Sequence, residues 1–224
     1  MKKKKALIIF AKYPREGEVK TRLAKAMGEK FAVSFYKACA ENTFKECEKI
    51  IPINVSVYLF YADRKDEKLI SNWASNRFLY KEQNGETLGE RMENAFSQVF
   101  HDEAGSAIII GTDLPDISYP LIAEAFEALE KHQVVIGPSS DGGYYLLGMN
   151  ELYSSLFSGI KWSTGSVLKS TIEIIKNKNL SAKILKELTD IDEHKDLKKW
   201  FSVSKPDENN FLYRLIKEQS NIAE

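Results

Sequence analysis

Cysteine and histidine are scarce in this chain of 224 residues, which contains two cysteines and three histidines. Cys39 and Cys47 fall two turns apart in one predicted helix, too far for a disulfide within that helix. We therefore expect free thiols and a reducing compartment. His101, His132 and His194 are scattered, and no Cys/His spacing is typical of zinc. The sequence therefore favours neither a disulfide-stabilised fold nor a zinc site, and it shows no Ser-His-Asp or Cys-His set.

Charge of one sign is not in excess, because 32 Lys and Arg residues balance 32 Asp and Glu residues. Without a global basic field, nucleic acid is not an expected partner. Long hydrophobic runs are also missing. The apolar part of MKKKKALIIFAK is about six residues, shorter than a secretory signal core, and no stretch approaches the roughly 20 residues of a membrane span. We expect a cytoplasmic protein with no integral membrane segment.

Short apolar runs and amphipathic segments alternate along the chain. Residues 6–11 (ALIIFA) and 106–110 (SAIII) are continuous apolar runs, typical of strands buried on both faces. Residues 27–50 repeat apolar side chains at helical spacing. The alternation predicts an α/β fold with a mainly parallel sheet and helices on both faces. The length suits one domain over residues 1–224, with a helical C-terminal tail from about residue 205.

The loops that follow strands are the places to look for chemistry, because ligands of such sheets bind at the carboxyl ends of the strands. The first loop and the helix start after it are rich in cations: Lys12, Arg15, Lys20, Arg22 and Lys25. Cations beside free backbone N–H groups suit a phosphate. The alternative is a solvated, charged loop. Neither a Walker A motif nor a G-x-G-x-x-G fingerprint is present.

The second loop, GTDLPD, places Asp113 directly after a buried strand. A carboxylate there can hold Mg²⁺ or Mn²⁺, which favour oxygen ligands. The alternative is a turn or a helix cap, a role for which Asp116 and Ser118 are better placed than Asp113.

The third loop, GPSSDGG, places Asp141 before Gly142 and Gly143, which permit unusual backbone shapes and the close approach of a ligand. The alternative is a hairpin turn or a β-bulge. In the late segment LTDIDEHKDL, Asp192 either caps the helix that follows or supplies a second metal ligand.

Five segments in order resemble a known family: FAKYPREGEVKTRLAKAMG, GTDLPDIS, GPSSDGGYYLLGM, KWSTGSVL and TDIDEHKDL. They resemble the bacterial GT-A-like glycosyltransferases of the nucleotide-diphospho-sugar transferase superfamily, some of which are linked to arsenosugar biosynthesis. The resemblance extends to about Trp200. It implies a single Rossmann-like, three-layer α/β/α sandwich with a mainly parallel, mixed sheet.

The resemblance also implies roles for individual residues. The residues expected to bind the nucleotide are Lys12, Lys20, Arg22, Gly89, Arg91, Thr112 and Asp113. Asp113 and Asp192 would hold Mg²⁺ or Mn²⁺. In this chain Glu193 and His194 replace the Thr-Pro of the family's late segment.

The reaction implied is transfer of a sugar from a nucleotide-diphosphate sugar to a small-molecule acceptor. Asp141 is the candidate catalytic residue, which orients the acceptor or acts as general base. Gly142 and Gly143 would lie against the substrate. Trp162 would cover the sugar or the acceptor, and its alternative role is a core aromatic before a helix.

Two other functions stay open. The first is a guanylyl- or cytidylyl-type nucleotidyltransferase that acts on a phosphorylated metabolite, since KTRLA resembles the KSRLA of phospholactate guanylyltransferases. The second is a non-catalytic nucleotide-binding protein. The sequence leaves the oligomeric state open.

Overall fold

Strands and helices alternate in the computed structural model, which describes residues 4–204 and 210–218. The strands are β1 (Lys4–Ala11), β2 (Val55–Tyr61), β3 (Leu79–Glu82), β4 (Ala104–Ile110), β5 (Val134–Pro138), β6 (Tyr144–Met149) and β7 (Ala182–Ile184). The helices are α1 (Thr21–Met27), α2 (Glu29–Glu48), α3 (Glu67–Trp73), α4 (Leu88–His101), α5 (Tyr119–Ala128), α6 (Val167–Asn177), α7 (His194–Ser204) and α8 (Phe211–Glu218).

The seven strands form one mixed sheet in the order β3-β2-β1-β4-β6-β5-β7. β1, β2, β3 and β4 run parallel, as do β5 and β7. β6 is antiparallel to both of its neighbours, because it returns from β5 through a tight hairpin. The predicted α/β fold with a mainly parallel, mixed sheet is confirmed.

Alternate residues of the central strands face two separate hydrophobic layers. Leu7 and Ile9 of β1 pack in one cluster with residues of α2 and α5, whereas Ile8 packs in another with Phe96 of α4 and Ile175 of α6. This period of two is what a strand imposes on its side chains. Helices therefore cover both faces of the sheet, as a three-layer sandwich requires.

A third hydrophobic cluster joins the two ends of the chain. Leu23 of α1 and Phe35 of α2 pack with Trp200 of α7 and Leu212 of α8. Ile191, between β7 and α7, is fully buried in the same cluster. This packing holds the late acidic segment against the first loop.

Part of the predicted C-terminal tail lies outside the described residues, which omit 205–209 and 219–224. The extent of one domain over 1–224 stays a prediction. Cys39 and Cys47 are free and buried, as expected. In the ranges that the structure describes, no helix has the length and apolar character needed to cross a membrane.

Candidate functional site

A cleft crosses the sheet at the carboxyl ends of β1 and β4. One half has a volume of about 510 Å³ and lies beside the first loop and α4. The other half has a volume of about 700 Å³ and lies beside the β5–β6 hairpin and the late acidic segment. Gly111 and Asp113, which follow β4, line both halves. The strand-end loops predicted from the sequence therefore meet in one cleft.

Lys20 makes ion pairs with three aspartates where the two halves meet. Its Nζ atom lies 3.1 Å from Asp113 Oδ2, 3.1 Å from Asp190 Oδ1 and 3.0 Å from Asp192 Oδ1. Its side chain is only 3% exposed. Burial alone lowers the pKa of this ammonium, but the three carboxylates raise it well above its usual value. Lys20 therefore stays charged.

Asp190 is the most enclosed of the three carboxylates. Its side chain is 15% exposed, compared with 39% for Asp113 and 40% for Asp192. Burial, together with the neighbouring carboxylates and against the opposing effect of Lys20, raises the pKa of Asp190 to about 6. Sequence reasoning missed this residue. The available signal was its Asp-x-Asp spacing with Asp192.

Local structure explains how these side chains converge. Asp113 lies just beyond the central strand β4. Asp190 and Asp192 alternate with buried Ile191 in a segment with no helical assignment. Ile191 packs into the protein, and the aspartates on either side of it both line the larger half of the cleft. Lys20, at the start of α1, has a left-handed backbone with φ of 43°.

The three carboxylates suit a divalent metal ion. One oxygen from each of Asp113, Asp190 and Asp192 lies within 4.8 Å of the others. An all-oxygen, all-carboxylate donor set is the type that Mg²⁺ and Mn²⁺ prefer. Asp113 and Asp192, the two ligands named from the sequence, are thus brought together, and Asp190 joins them.

The smaller half of the cleft contains most residues expected to bind a nucleotide. Lys12, Lys20, Arg91, Thr112 and Asp113 all line it. Arg91 is held in place because its Nε donates to the carbonyl oxygen of Gly85 over 2.9 Å.

Tyr36 of α2 joins the loops after β1 and β4 under this half of the cleft. Its hydroxyl accepts from the backbone N–H of Lys12 over 2.9 Å and lies 2.9 Å from Thr112 Oγ1. Burial raises the pKa of Tyr36 to about 12, so this hydroxyl keeps its proton. The contact fixes Lys12 and Thr112 relative to each other.

Gly89 is a packing position beneath Trp162. A Cβ atom there would lie 2.1 Å from Trp162 Nε1. The indole is half-buried, makes an edge contact with Tyr144 at 6.5 Å between ring centroids, and lines the larger half of the cleft. Trp162 thus packs on α4 and also faces the cleft, and its contact with a sugar or an acceptor stays a prediction. Gly89 supports that wall and is not among the described residues that line either half.

Asp141 forms the hairpin turn and also lines the larger half of the cleft. Its Oδ1 accepts from Ser139 Oγ over 2.5 Å and from the N–H of Gly143 over 2.9 Å. Gly142 has φ of +88°, and a Cβ atom there would lie 2.2 Å from the carbonyl oxygen of Gly165. Gly142 therefore has the structural role in the hairpin turn that the alternative interpretation gave it. Asp141 and Gly143, in contrast, line the cleft.

Arg22 lies at the rim of the larger half. Its Nη1 atom is 3.7 Å from Asp192 Oδ2, and its side chain is 69% exposed. An exposed pair of this length adds little stability. Arg22 is therefore free to reorient towards a ligand.

Comparison with known proteins agrees with this fold. The fold is that of the nucleotide-diphospho-sugar transferases and related nucleotidyltransferases. Residues 50–164, just over half of the chain, match the family DUF2064, described as an uncharacterized protein conserved in bacteria. The chain belongs to this family. No curated protein sequence matches it.

Three solved structures illustrate the likeness. A protein from Desulfovibrio desulfuricans G20, provisionally named a nucleotide-diphospho-sugar transferase, is 27% identical with a TM-score of 0.89, over 97% of this chain and 96% of that one. The 4-diphosphocytidyl-2C-methyl-D-erythritol synthase of Anaerococcus prevotii DSM 20548 is 12% identical, with a TM-score of 0.59 over 91% and 99%. Rv0371c of Mycobacterium tuberculosis H37Rv, solved with manganese, is 9% identical, with a TM-score of 0.52 over 89% and 98%. The last two likenesses establish the fold alone.

Proposed function

We propose that this protein is a transferase that moves a sugar from a nucleotide-diphosphate sugar to a hydroxyl group of a small-molecule acceptor, with the help of Mg²⁺ or Mn²⁺. One observation carries the proposal: three carboxylates lie within 4.8 Å of one another, beside a buried lysine, at the junction of a two-part cleft. The 27% identical structure named as a nucleotide-diphospho-sugar transferase supports it over almost the whole chain.

The chemistry requires positive charge at the leaving group. As the bond from the sugar to the diphosphate breaks, negative charge grows on the diphosphate. Asp113, Asp190 and Asp192 would hold the divalent ion, which supplies Lewis-acid stabilisation of that charge. Lys20 and Arg22 would add further positive charge beside the same carboxylates.

The two halves of the cleft suit two substrates. The nucleoside would lie in the half lined by Lys12, Arg91 and Thr112. The acceptor would lie in the larger half, where Trp162 offers an aromatic face and Asp141 a carboxylate. Asp141 would accept the proton of the attacking hydroxyl, and its bonds to Ser139 and Gly143 orient it for that role.

The charge of the larger half favours sugar transfer over nucleotidyl transfer. The described residues that line it include six carboxylates but only two cations, Arg22 and Lys195. Arg22 lies 3.7 Å from Asp192, and Lys195 lies 2.8 Å from Glu193. An acceptor that carries a phosphate would meet a surplus of negative charge there. A hydroxyl acceptor without a phosphate would not.

A nucleotidyltransferase is the second candidate. Lys20 favours it, because an enclosed ammonium beside the acidic cluster could also stabilise the α-phosphate of a nucleoside triphosphate under attack. The fold is also shared with a 4-diphosphocytidyl-2C-methyl-D-erythritol synthase, although at 12% identity.

Product analysis separates the candidates. The protein would be incubated with Mn²⁺ and either nucleotide sugars or nucleoside triphosphates, each with pooled acceptors. Release of a nucleoside diphosphate supports sugar transfer, whereas release of pyrophosphate supports nucleotidyl transfer. Binding without either product supports a non-catalytic nucleotide-binding protein. Asp190→Asn is the matched control, since any product that depends on the metal site should fall at least about a hundredfold in rate.

A further inference from the structure

Lys20 lies where a metal ion would lie. Its Nζ atom is 3.0–3.1 Å from one oxygen of each of the three carboxylates proposed as metal ligands. A divalent ion bound by one oxygen from each carboxylate would be surrounded by the same groups. An ammonium and a metal ion cannot occupy one position, so the two cations compete for these oxygens.

The backbone of Lys20 is anchored by buried neighbours, so the side chain is the part of this residue that can move. Val19 before it is buried, and Leu23 of α1 is fully buried in the third hydrophobic cluster. The lysine stem has several rotatable bonds and can swing its charge to a new partner. The smaller half of the cleft, which Lys20 also lines, is the space into which it can turn.

We propose that Lys20 is a built-in counter-ion of the three carboxylates, that the divalent ion displaces it, and that the released ammonium then binds the diphosphate of the donor. The proposal rests on the proposed function, since it assigns the carboxylates to a metal ion and the smaller half of the cleft to a nucleotide. It makes Lys20 the link between metal binding and donor binding. Each ligand thereby favours the other, because the ion frees the cation that the diphosphate needs.

The first test measures Mn²⁺ affinity by calorimetry without any nucleotide. Lys20→Gln removes the competing ammonium, so we expect it to bind Mn²⁺ at least about tenfold more tightly than the wild type. Lys195→Gln is the matched control, because Lys195 lines the same cleft but pairs with Glu193 at 2.8 Å. Its Mn²⁺ affinity should change by less than about threefold. Far-ultraviolet circular dichroism checks that both variants fold.

The second test needs no variant. Lys20 is 3% exposed, so an amine-acetylating reagent should label it poorly in the wild-type protein. If Mn²⁺ displaces the side chain, saturating Mn²⁺ should increase labelling of Lys20 at least about fivefold, as measured by peptide mass spectrometry. Lys195, with a side chain that is 76% exposed, should be labelled equally with and without Mn²⁺.

The outcomes separate this proposal from the proposed function. Tighter Mn²⁺ binding by Lys20→Gln with Mn²⁺-dependent labelling of Lys20 supports the exchange. Equal Mn²⁺ affinity in the two proteins with unchanged labelling overturns the exchange but leaves the metal site intact. If neither protein binds Mn²⁺, the metal site of the proposed function is wrong, and the exchange is wrong with it.

Discussion

At the scale of single residues, the site depends on side chains that lie far apart in the sequence. Lys20 and Asp192 are separated by 172 positions, yet their charged atoms lie 3.0 Å apart. Residue type and position after a strand made Asp113 and Asp192 candidates, whereas the family resemblance picked Lys20 out of the cations of the first loop. The Asp-x-Asp spacing with Asp192 was the one local signal for Asp190, but its place in the site depends on the burial of Ile191 in a cluster built from both ends of the chain.

Asp116 offers a test of how the stability of the fold depends on pH. Burial raises its pKa, although Trp200 Nε1 donates to its Oδ2 over 2.9 Å. A carboxyl group with a raised pKa in the folded state supports folding fully below its unfolded pKa, and that support is lost as pH rises through the folded pKa. Asp116→Asn keeps an acceptor for Trp200 without the charge. We expect it to raise Tm at pH 7 by about 1–4 °C and to have less effect near pH 4.

Asp63 is the control for this prediction, because its pKa is shifted the other way. Lys65 lowers it, through a side-chain contact of 2.9 Å and a backbone N–H bond of 3.1 Å. Asp63→Asn should therefore lower Tm at pH 7. The difference in Tm between this variant and the wild type should shrink as pH falls and the carboxyl group of the wild type becomes protonated. Equal shifts in the two variants at pH 7, measured by differential scanning calorimetry, would contradict the assigned environments.

At the scale of elements, helix α2 holds both thiols inside the protein. Cys39 and Cys47 are fully buried, and burial raises the pKa of each thiol far above its usual value. Since the thiolate is the reactive form, neither cysteine should react with an aromatic disulfide reagent in the native protein within minutes. Both should react in about 6 M guanidinium chloride. A rapid reaction of either thiol under native conditions would show that α2 opens or packs differently.

The start of helix α4 is shaped by the indole that covers it. Gly89→Ala adds a methyl group where Trp162 lies, which should push the indole outwards and shift its fluorescence emission to longer wavelength. The helix itself should tolerate the change, because Ala is better than Gly in a helix by about 1 kcal/mol. Ser97→Ala, on the exposed face of α4, should leave the emission unchanged. An unshifted spectrum for Gly89→Ala would contradict the packing of Trp162 on α4.

At the scale of the whole molecule, the sequence predicts the elements better than their arrangement. Alternating patterns are local, so the strands at 6–11 and 106–110 and the helix that ends near residue 50 lie close to where they were expected. The antiparallel direction of β6 follows from the glycine-containing hairpin before it. The order of the strands and the meeting of the acidic segment with the first loop arise from long-range packing, which no local pattern encodes.

The central claim concerns the cleft as a whole: we propose that a nucleotide-diphosphate sugar binds there together with a metal ion. The most direct measurement is a thermal-shift panel of nucleotide sugars with and without Mn²⁺, on the wild type and on Asp113→Asn. A ligand at a hundred times its dissociation constant adds about 2.7 kcal/mol, or about 5–10 °C in Tm for a chain of this size. We expect such a shift for at least one nucleotide sugar, only with Mn²⁺, and none in the folded Asp113→Asn variant. Equal shifts in the two proteins, or no shift with any nucleotide sugar, would contradict the claim.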